Sequence, residues 1–277
     1  MDNTSLGDRM KFYEGRYTND VLMPMIPVMA RMDGRSFSKF TSDLERPYDK
    51  RLSDLMVETT KFLVQNTNAR CGYTQSDEIT LVFMQDSMES EIFFGGKLFK
   101  MLSILASTTS VFFNRNLHRF LPDHVGKTPL FDARVWNVPL EYEATNCFIW
   151  REMDATRNSI SMAAQSMYSH KELQGKSSSE MQEMIFQKGR NWNDYPNFFK
   201  RGTYVRRKEV IKDLTEEEKS RIPVAFREAA AQKVRKVIEV EYDLPPLKRI
   251  ANREDVIFRG ANPVLKTENS NADDSEA

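Results

Sequence analysis

Apolar residues alternate with polar ones in two short stretches of the chain, which is the pattern of half-buried β-strands. The first stretch covers residues 26–32 and ends at Asp33, and the second covers residues 79–83 and begins just after Asp77. A reverse turn at Ser76-Asp77 would make a hairpin whose tip faces the end of the first strand. The pattern therefore predicts that two carboxylates meet at one edge of a sheet.

Helical spacing of apolar residues separates and follows these strands. It predicts helices over about residues 49–67, 89–117 and 151–168 and a basic amphipathic helix over residues 224–237, with a strand over residues 131–138 that Pro139 ends. Capping-box spacing at Ser177 and at Thr215 predicts two more helix starts. This order of elements favours an α+β fold, an antiparallel sheet covered by helices.

Composition narrows the functional classes. The chain has 40 Lys plus Arg and 40 Asp plus Glu residues, so the net charge does not indicate a class of binding partner. A nucleic-acid surface would have to be a local basic patch. Cys71 and Cys147 lie far apart and lack metal spacing, so we expect reduced thiols in a cytoplasmic protein. No apolar run approaches membrane-spanning length, and the first ten residues lack the order of a secretory signal. We therefore expect no membrane partner.

The two acidic turns are suited to phosphate chemistry. Mg²⁺ prefers hard oxygen ligands, and proteins usually hold it with one or two carboxylates together with substrate phosphates. Two such ions can clamp the attacking and leaving oxygens of an in-line displacement. The alternative is that Asp33-Gly34 and Ser76-Asp77 are ordinary turn formers without chemistry, because these residue types favour turns for backbone reasons alone.

Five segments, in order, resemble the histidine-tRNA guanylyltransferase family, whose members add nucleotides in the 3′-to-5′ direction. The first two contain the acidic turns and the others lie farther along: residues 31–40, 72–78, 131–135, 150–154 and 175–180. The resemblance covers about residues 10–205. It implies a polymerase- and cyclase-like palm domain over residues 1–205 with helical additions. Beyond it we expect a helical or extended appendage over 206–265 and, because residues 266–277 are polar and acidic and lack aromatics, a disordered acidic tail over 266–277. The resemblance also implies a homotetramer.

The resemblance further implies a set of site residues. Two Mg²⁺ ions would be held by Asp33, Gly34 and Asp77, and the two aspartates would be the catalytic residues. The nucleotide-binding positions carry over as Asp33, Gly34, Arg35, Ser36, Phe37, Ser38, Ser76 and Asp77. Candidates for contact with phosphate or tRNA are Arg134, Arg151 and Asn158. Lys97 and Lys100 are further candidates from their spacing alone, because they lie one helical turn apart on the predicted long helix. Glu78 points to the opposite face of its strand from Asp77, so we expect it to be a solvated charge or a structural partner.

One segment departs from the eukaryotic members, which have a His-Ile-Asn-Asn run after the position of Asp154. Here residues 155–161 keep only Asn158 of that run, and the sequence of this segment resembles that of the bacterial and archaeal repair-type members. The resemblance implies an enzyme that extends the 5′ end of tRNA with GTP, ATP or another nucleoside triphosphate by copying the opposite strand. The alternatives are guanylate addition specific to histidine tRNA, an inactive RNA- or nucleotide-binding palm, and a nucleotide cyclase or signalling synthase.

Overall fold

The backbone forms one six-stranded sheet, in the order β4-β1-β3-β2-β5-β6, in which each neighbouring pair is antiparallel. The structure is a computed structural model that describes residues 5–221 and 232–267. The strands are β1 (Val28–Gly34), β2 (Cys71–Gln75), β3 (Glu78–Phe83), β4 (Phe131–Asn137), β5 (Thr203–Asp213) and β6 (Gln232–Glu241). The predicted fold class, an antiparallel sheet covered by helices, is confirmed.

Helices cover both faces of this sheet. They are α1 (Ser5–Thr18), α2 (Phe37–Phe40), α3 (Lys50–Thr67), α4 (Leu98–Phe120), α5 (Glu141–Gln165), α6 (His170–Leu173), α7 (Ser178–Gln187), α8 (Asn197–Arg201), α9 (Glu216–Ser220) and α10 (Arg253–Phe258). None of the described helices is long and apolar enough to cross a membrane.

Alternation along β1 divides the core between the two faces. Val28, Ala30 and Met32 pack with residues of α3 and α4, whereas Met29 packs on the opposite face with Phe148 of α5. Successive side chains of a strand point to opposite faces, so the sequence pattern set this division directly. Asp33 follows Met32 and therefore lies on the α5 side of the sheet.

Several predicted elements agree with the structure, and others have different bounds. The helix expected over 49–67, the strand after residue 131 and the helix capped by Ser177 are confirmed. The long helix begins at Leu98 rather than near 89, because the backbone of Phe94 and Gly95 adopts positive φ in a preceding 3₁₀ turn. Helix α5 begins ten residues before the predicted start, directly after the β4 turn. Helix α1 was not predicted.

The prediction of a basic helix over 224–237 is wrong where it can be compared with the structure. Residues 232–237 belong to β6, and residues 224–231 lie outside the described part of the chain. The strand pairs with β5 along its whole length, and Ile238 and Val240 pack against the core. Valine and isoleucine suit a pleated surface, and this pairing outweighs the helical spacing.

The predicted boundary at residue 205 lies within β5, and the division into domains stays a prediction. The expected disorder from residue 266 falls mostly on residues 268–277, which lie outside the described residues. Helix α9 starts next to Thr215 as the capping spacing predicted, but it is only five residues long.

The segment after β6 packs against α5 through a buried carboxylate. Leu247, Ile250, Val256 and Ile257 are buried in the core beside α5. The backbone N–H of Leu247 donates to Oε2 of Glu152 over 3.0 Å, and only 6% of Glu152 is exposed. Burial raises the pKa of the Glu152 carboxyl to about 7, although the Leu247 N–H opposes this shift.

Glu152 should therefore make the free energy of unfolding depend on pH. The unfolded chain releases this proton near the ordinary pKa of 4.5, whereas the native state keeps it to about pH 7, so stability falls as pH rises across this window. We expect Glu152→Gln to remove that slope and to stabilise the protein at pH 8 by up to about 3 kcal/mol. Urea unfolding at several pH values measures both effects, with the surface variant Glu58→Gln as control. An unchanged slope in Glu152→Gln would contradict the assignment.

Candidate active site

The two acidic turns lie side by side at one end of the sheet. Asp33 is opposite Glu78 in the register of β1 and β3, and the backbone N–H of Gly34 donates to the carbonyl oxygen of Asp77 over 3.1 Å. Ser76 adopts positive φ at the β2–β3 turn, and its hydroxyl donates to Oδ1 of Asp77 over 3.0 Å. The hairpin expected from the sequence therefore brings Asp33 and Asp77 to the same end of the sheet.

Close packing requires glycine at residue 34. A Cβ there would clash with the ring of Phe37, which is buried among Phe40, Phe113 and Phe131. The predicted nucleotide contact of Phe37 can therefore involve its backbone but not its ring. The chain leaves β1 at Gly34 and enters the short helix α2, so the backbone amides of residues 34–38 follow Asp33 directly.

Repulsion between the two carboxylates is not fully compensated within the described chain. Burial raises the pKa of the Asp77 carboxyl, and the nearby charge of Asp33 raises it further. The nearest cation is Arg134, whose Nη2 lies 3.9 Å from Oδ2 of Asp33, at the limit of an ion pair. A bound divalent cation would relieve this repulsion, and two carboxylates with a backbone carbonyl are oxygen donors that fit Mg²⁺. The described residues contain no cluster of three acidic, cysteine or histidine ligands.

Glu78 lies opposite Asp33 on the neighbouring strand, lines the same cleft and holds a buried arginine. Nε and Nη2 of Arg151 donate to the two carboxylate oxygens of Glu78, each over 2.6 Å, and Nη2 also donates to Asp154 over 2.9 Å. The side chains of Arg151 and Glu78 are 8% and 7% exposed. This buried bidentate pair ties α5 to β3 beside the acidic turns. It also occupies donors that a phosphate-binding role for Arg151 would use.

An open cleft of about 480 Å³ lies above the acidic turns. It is bounded by the ends of β1 and β3 and by one side of α5, and its lining includes Asp33, Gln75, Ser76, Asp77, Arg151, Asp154, Asn158 and Ser161. The structure thus brings together Asp33, Ser76, Asp77, Arg151 and Asn158 from the predicted set. The Asn158 amide donates to Asp154 over 3.3 Å. We call this space the carboxylate cleft.

A second cavity adjoins the carboxylate cleft and was not predicted from the sequence. It holds about 100 Å³ and shares Gln75, Ser76, Asn158 and Met162 with the cleft. Its walls also include Leu44 and Tyr48 from the loop before α3, with Phe199. In the sequence, a break in the helical pattern marks the loop before α3. That break does not indicate that the loop folds back over the β2–β3 turn and closes a cavity.

Lys97 and Lys100 lie away from the carboxylates. Residues 96–98 hydrogen bond to the segment before β1, because the N–H of Leu22 donates to Gly96 and that of Leu98 donates to Asp20. That segment leads into the start of β1, whereas Asp33 is near its end, about 16 Å away at roughly 3.3 Å per residue. The structure therefore does not bring these lysines to the carboxylates within the chain, and their contact with phosphate stays a prediction.

The aromatic and basic segment 190–202 is largely built into a small helical core. The indole N–H of Trp192 donates to Ser159 over 3.1 Å, and Lys200 is 8% exposed with its ammonium bonded to the carbonyl of Asn193. Tyr195 and Phe199 pack in the same cluster with α5 and α7. The mixture of aromatic and basic residues in this segment suits contact with RNA, and a place in the core is the alternative prediction from the sequence. The observed contacts favour the place in the core for Trp192 and Lys200.

Comparisons with known proteins agree with this geometry. The family model described as Thg1, tRNA(His) guanylyltransferase, matches residues 7–139. A solved structure of a bacterial tRNA(His) guanylyltransferase (Thg1)-like protein in complex with ATP superposes with a TM-score of 0.74 at 30% identity, covering 92% of this chain and 98% of that one. A GTP complex of such a protein gives 0.69 at 30% identity, with 88% and 94% covered.

A curated relative also matches over most of the chain. Uncharacterized protein R259 of Acanthamoeba polyphaga mimivirus is 34% identical over 235 residues, which cover 76% of this chain and 79% of the relative. Both this relative and the bacterial structures exceed the length of the family-model match, so the similarity includes α5 and the later strands. The chain therefore belongs to the tRNA(His) guanylyltransferase (Thg1) family of nucleotidyltransferases.

Proposed function

We propose that this enzyme is a magnesium-dependent, cytoplasmic nucleotidyltransferase that adds nucleotides to the 5′ end of tRNA in the 3′-to-5′ direction and repairs shortened ends by copying the opposite strand. The observation that carries the proposal is the meeting of Asp33 and Asp77 at adjacent turns that open onto the carboxylate cleft. The bacterial relatives bound to ATP and GTP support nucleoside triphosphates as its substrates.

Three groups of residues would bind the metal ions, the triphosphate and the base of the nucleotide. Asp33, Asp77 and the carbonyl of Gly34 would hold two Mg²⁺ ions, which supply Lewis acidity for the attacking hydroxyl and charge neutralisation for the leaving group. Backbone amides of residues 36–38 would face the triphosphate, since successive amides in a turn form a concavity for anions. The adjoining cavity between Ser76 and Tyr48 receives the base of the nucleotide.

Two bond exchanges complete one addition to a 5′-monophosphate end. The terminal phosphate first attacks the α-phosphorus of ATP, which forms a 5′-adenylylated end and releases pyrophosphate. The 3′-hydroxyl of the incoming nucleotide then attacks the 5′ phosphorus, loses its proton and displaces AMP. On an end that already carries a triphosphate, the same attack displaces pyrophosphate. Both steps transfer phosphorus between oxygens and need no redox partner.

Template use follows from the segment 155–161, which lacks the run typical of the eukaryotic guanylate-adding members. In the structure this segment is part of α5 along one wall of the carboxylate cleft, with Asn158 facing Asp154. Without that run, the choice of nucleotide is left to base pairing with the opposite strand.

We also propose that the protein forms a homotetramer. The exposed Leu6, Phe12 and Tyr17 support this, because they lie on α1, a helix with no buried residue.

We expect tRNAs that lack one 5′ nucleotide, and differ only in the facing base, each to incorporate the complementary nucleotide. The tRNAs carry a 5′-triphosphate and so need no activation by ATP; the four labelled triphosphates are supplied singly with Mg²⁺, and the products are resolved on one denaturing gel. Intact tRNA is the control and should gain no label. Guanylate incorporation opposite every base, confined to histidine tRNA, would instead establish the guanylate-specific alternative. Tight binding of tRNA and triphosphate without incorporation would establish the inactive binding module.

A further inference from the structure

A second open space lies on the other flank of the acidic turns, next to β4. It measures about 660 Å³ and is lined by Arg35, Ser36, Lys39, Phe40, Ser42, Lys127, Thr128, Pro129 and Leu130. We call it the basic cleft. It begins directly beyond Asp33-Gly34, because the backbone N–H of Arg35 donates to the carbonyl of Leu130 over 2.8 Å and joins the loop before β4 to the end of β1.

Positive charge in the basic cleft exceeds negative charge. Arg35 and Lys39 are exposed, and neither has an ion-pair partner among residues 5–221 and 232–267. Lys127 donates to Asp43 over 2.9 Å, and Nε2 of His124 lies 3.1 Å from the same carboxylate. The hydrogen bond from Lys127 lowers the pKa of the Asp43 carboxyl, which therefore stays ionised. One carboxylate thus balances part of a cleft that presents three permanent cations.

The strand order separates this cleft from the space for the nucleotide. Strands β1 and β3, which carry the acidic turns, lie between β4 on one side and β2 on the other. The basic cleft adjoins the β4 side through Leu130, and the cavity for the base adjoins the β2 side through Gln75 and Ser76. A phosphate chain that occupied the basic cleft would therefore approach Asp33 from the side opposite the base of the incoming nucleotide.

We propose that the basic cleft binds backbone phosphates of the RNA strand whose 5′ end is extended, through Lys39, Lys127 and Arg35. This inference rests on the proposed function. Flexible lysines and arginines on an open surface suit sequence-independent contact with successive phosphates. In an in-line displacement the attacking hydroxyl and the leaving group lie on opposite sides of the phosphorus, and the 5′ oxygen of the RNA lies between them. The RNA strand therefore needs a path separate from that of the nucleotide, which the basic cleft provides. Asp43 moderates the affinity by neutralising Lys127.

The test compares variants with opposite expected effects on tRNA binding, measured by fluorescence anisotropy with a 5′-truncated tRNA at several salt concentrations. Lys39→Ala should weaken binding about three- to tenfold and reduce the slope of log K against log salt by roughly 0.7 to 0.9, the loss of one phosphate contact. Asp43→Asn should tighten binding by about threefold, because Lys127 is released while the amide oxygen still accepts from His124. Lys61→Ala, which removes a lysine paired with Glu58 on α3, should leave both quantities unchanged.

Kinetics distinguishes RNA phosphates from the triphosphate. For Lys39→Ala, the KM for tRNA should rise while the KM for the triphosphate stays within about twofold of wild type. A rise in the triphosphate KM with unchanged tRNA affinity would overturn the inference, and so would equal tRNA binding by Lys39→Ala, Asp43→Asn and Lys61→Ala. Binding needs no turnover, so a wild-type protein that adds no nucleotide refutes the proposed function separately. Melting temperatures of all three variants establish that the fold is intact.

Discussion

Asp77→Asn is expected to abolish nucleotide addition while leaving the protein folded. Loss of one carboxylate from the proposed two-ion site would weaken binding of the ions that neutralise charge in the transition state, which should lower the rate at least about a thousandfold, or roughly 4 kcal/mol. Asp33→Asn should have an effect of the same size. Single-turnover addition of a labelled nucleotide to 5′-truncated tRNA measures the rate.

The same substitution should not lower stability. The pKa of the Asp77 carboxyl is raised by burial and by Asp33, so its ionised form is unfavourable in the native state without a bound metal. An uncharged amide removes that repulsion and can still accept from the Ser76 hydroxyl. We therefore expect metal-free Asp77→Asn to unfold at equal or higher urea concentration than wild type at neutral pH. Asp54→Asn, on the surface of α3, is the control for loss of a carboxylate. Addition within tenfold of wild type by a folded Asp77→Asn protein would refute the ligand assignment.

Breaking the Glu78–Arg151 pair should produce the largest loss of stability. Arg151→Met leaves Glu78 buried without its cation, and Glu78→Gln leaves the guanidinium with Asp154 as its remaining carboxylate. Removal of one partner of a buried ion pair typically costs about 3 to 5 kcal/mol, because the other charge remains buried. Urea unfolding should show a loss of about 3 kcal/mol for each single variant.

The double variant separates this structural role from a role in phosphate binding. Glu78→Gln with Arg151→Met should lose less stability than the sum of the single variants, because neither charge remains unpaired. Arg157→Met removes an exposed partner of Asp154, so its cost should stay below about 1 kcal/mol. If Arg151→Met keeps wild-type stability but loses triphosphate affinity, Arg151 serves the substrate rather than the fold.

The sequence was sufficient to predict the elements that carry the acidic turns. Period-two alternation before Asp33 and after Asp77 placed the strands, and helical spacing between them placed α3. These signals are local and strong, because one face of each element is buried throughout. The relation between the two turns could be inferred as well, since a tight hairpin at Ser76-Asp77 leaves few arrangements of the neighbouring strands.

The features that the sequence could not predict depend on contacts between residues far apart in the chain. Residues 232–241 form strand β6 because they pair with β5. Without knowledge of that pairing, the amphipathic spacing near Val237 was compatible with a helix. Arg151 was a candidate phosphate ligand by motif, but only the fold shows that Glu78 faces it across a buried interface. Lys97 precedes a helix whose position at the far end of the sheet depends on hydrogen bonds to the segment before β1. Each of these outcomes depends on residues far apart in the chain.

Mapping the position of an added nucleotide decides whether this protein extends 5′ ends. The purified protein is incubated with Mg²⁺, ATP, an α-labelled nucleoside triphosphate and a tRNA that lacks its 5′ nucleotide, and the labelled product is mapped by nuclease digestion. We expect one added nucleotide at the 5′ end, joined through a 3′–5′ linkage, and its loss when Mg²⁺ is chelated. Label at the 3′ end, or no transfer to tRNA by the folded wild-type protein with Mg²⁺ present, would contradict this expectation.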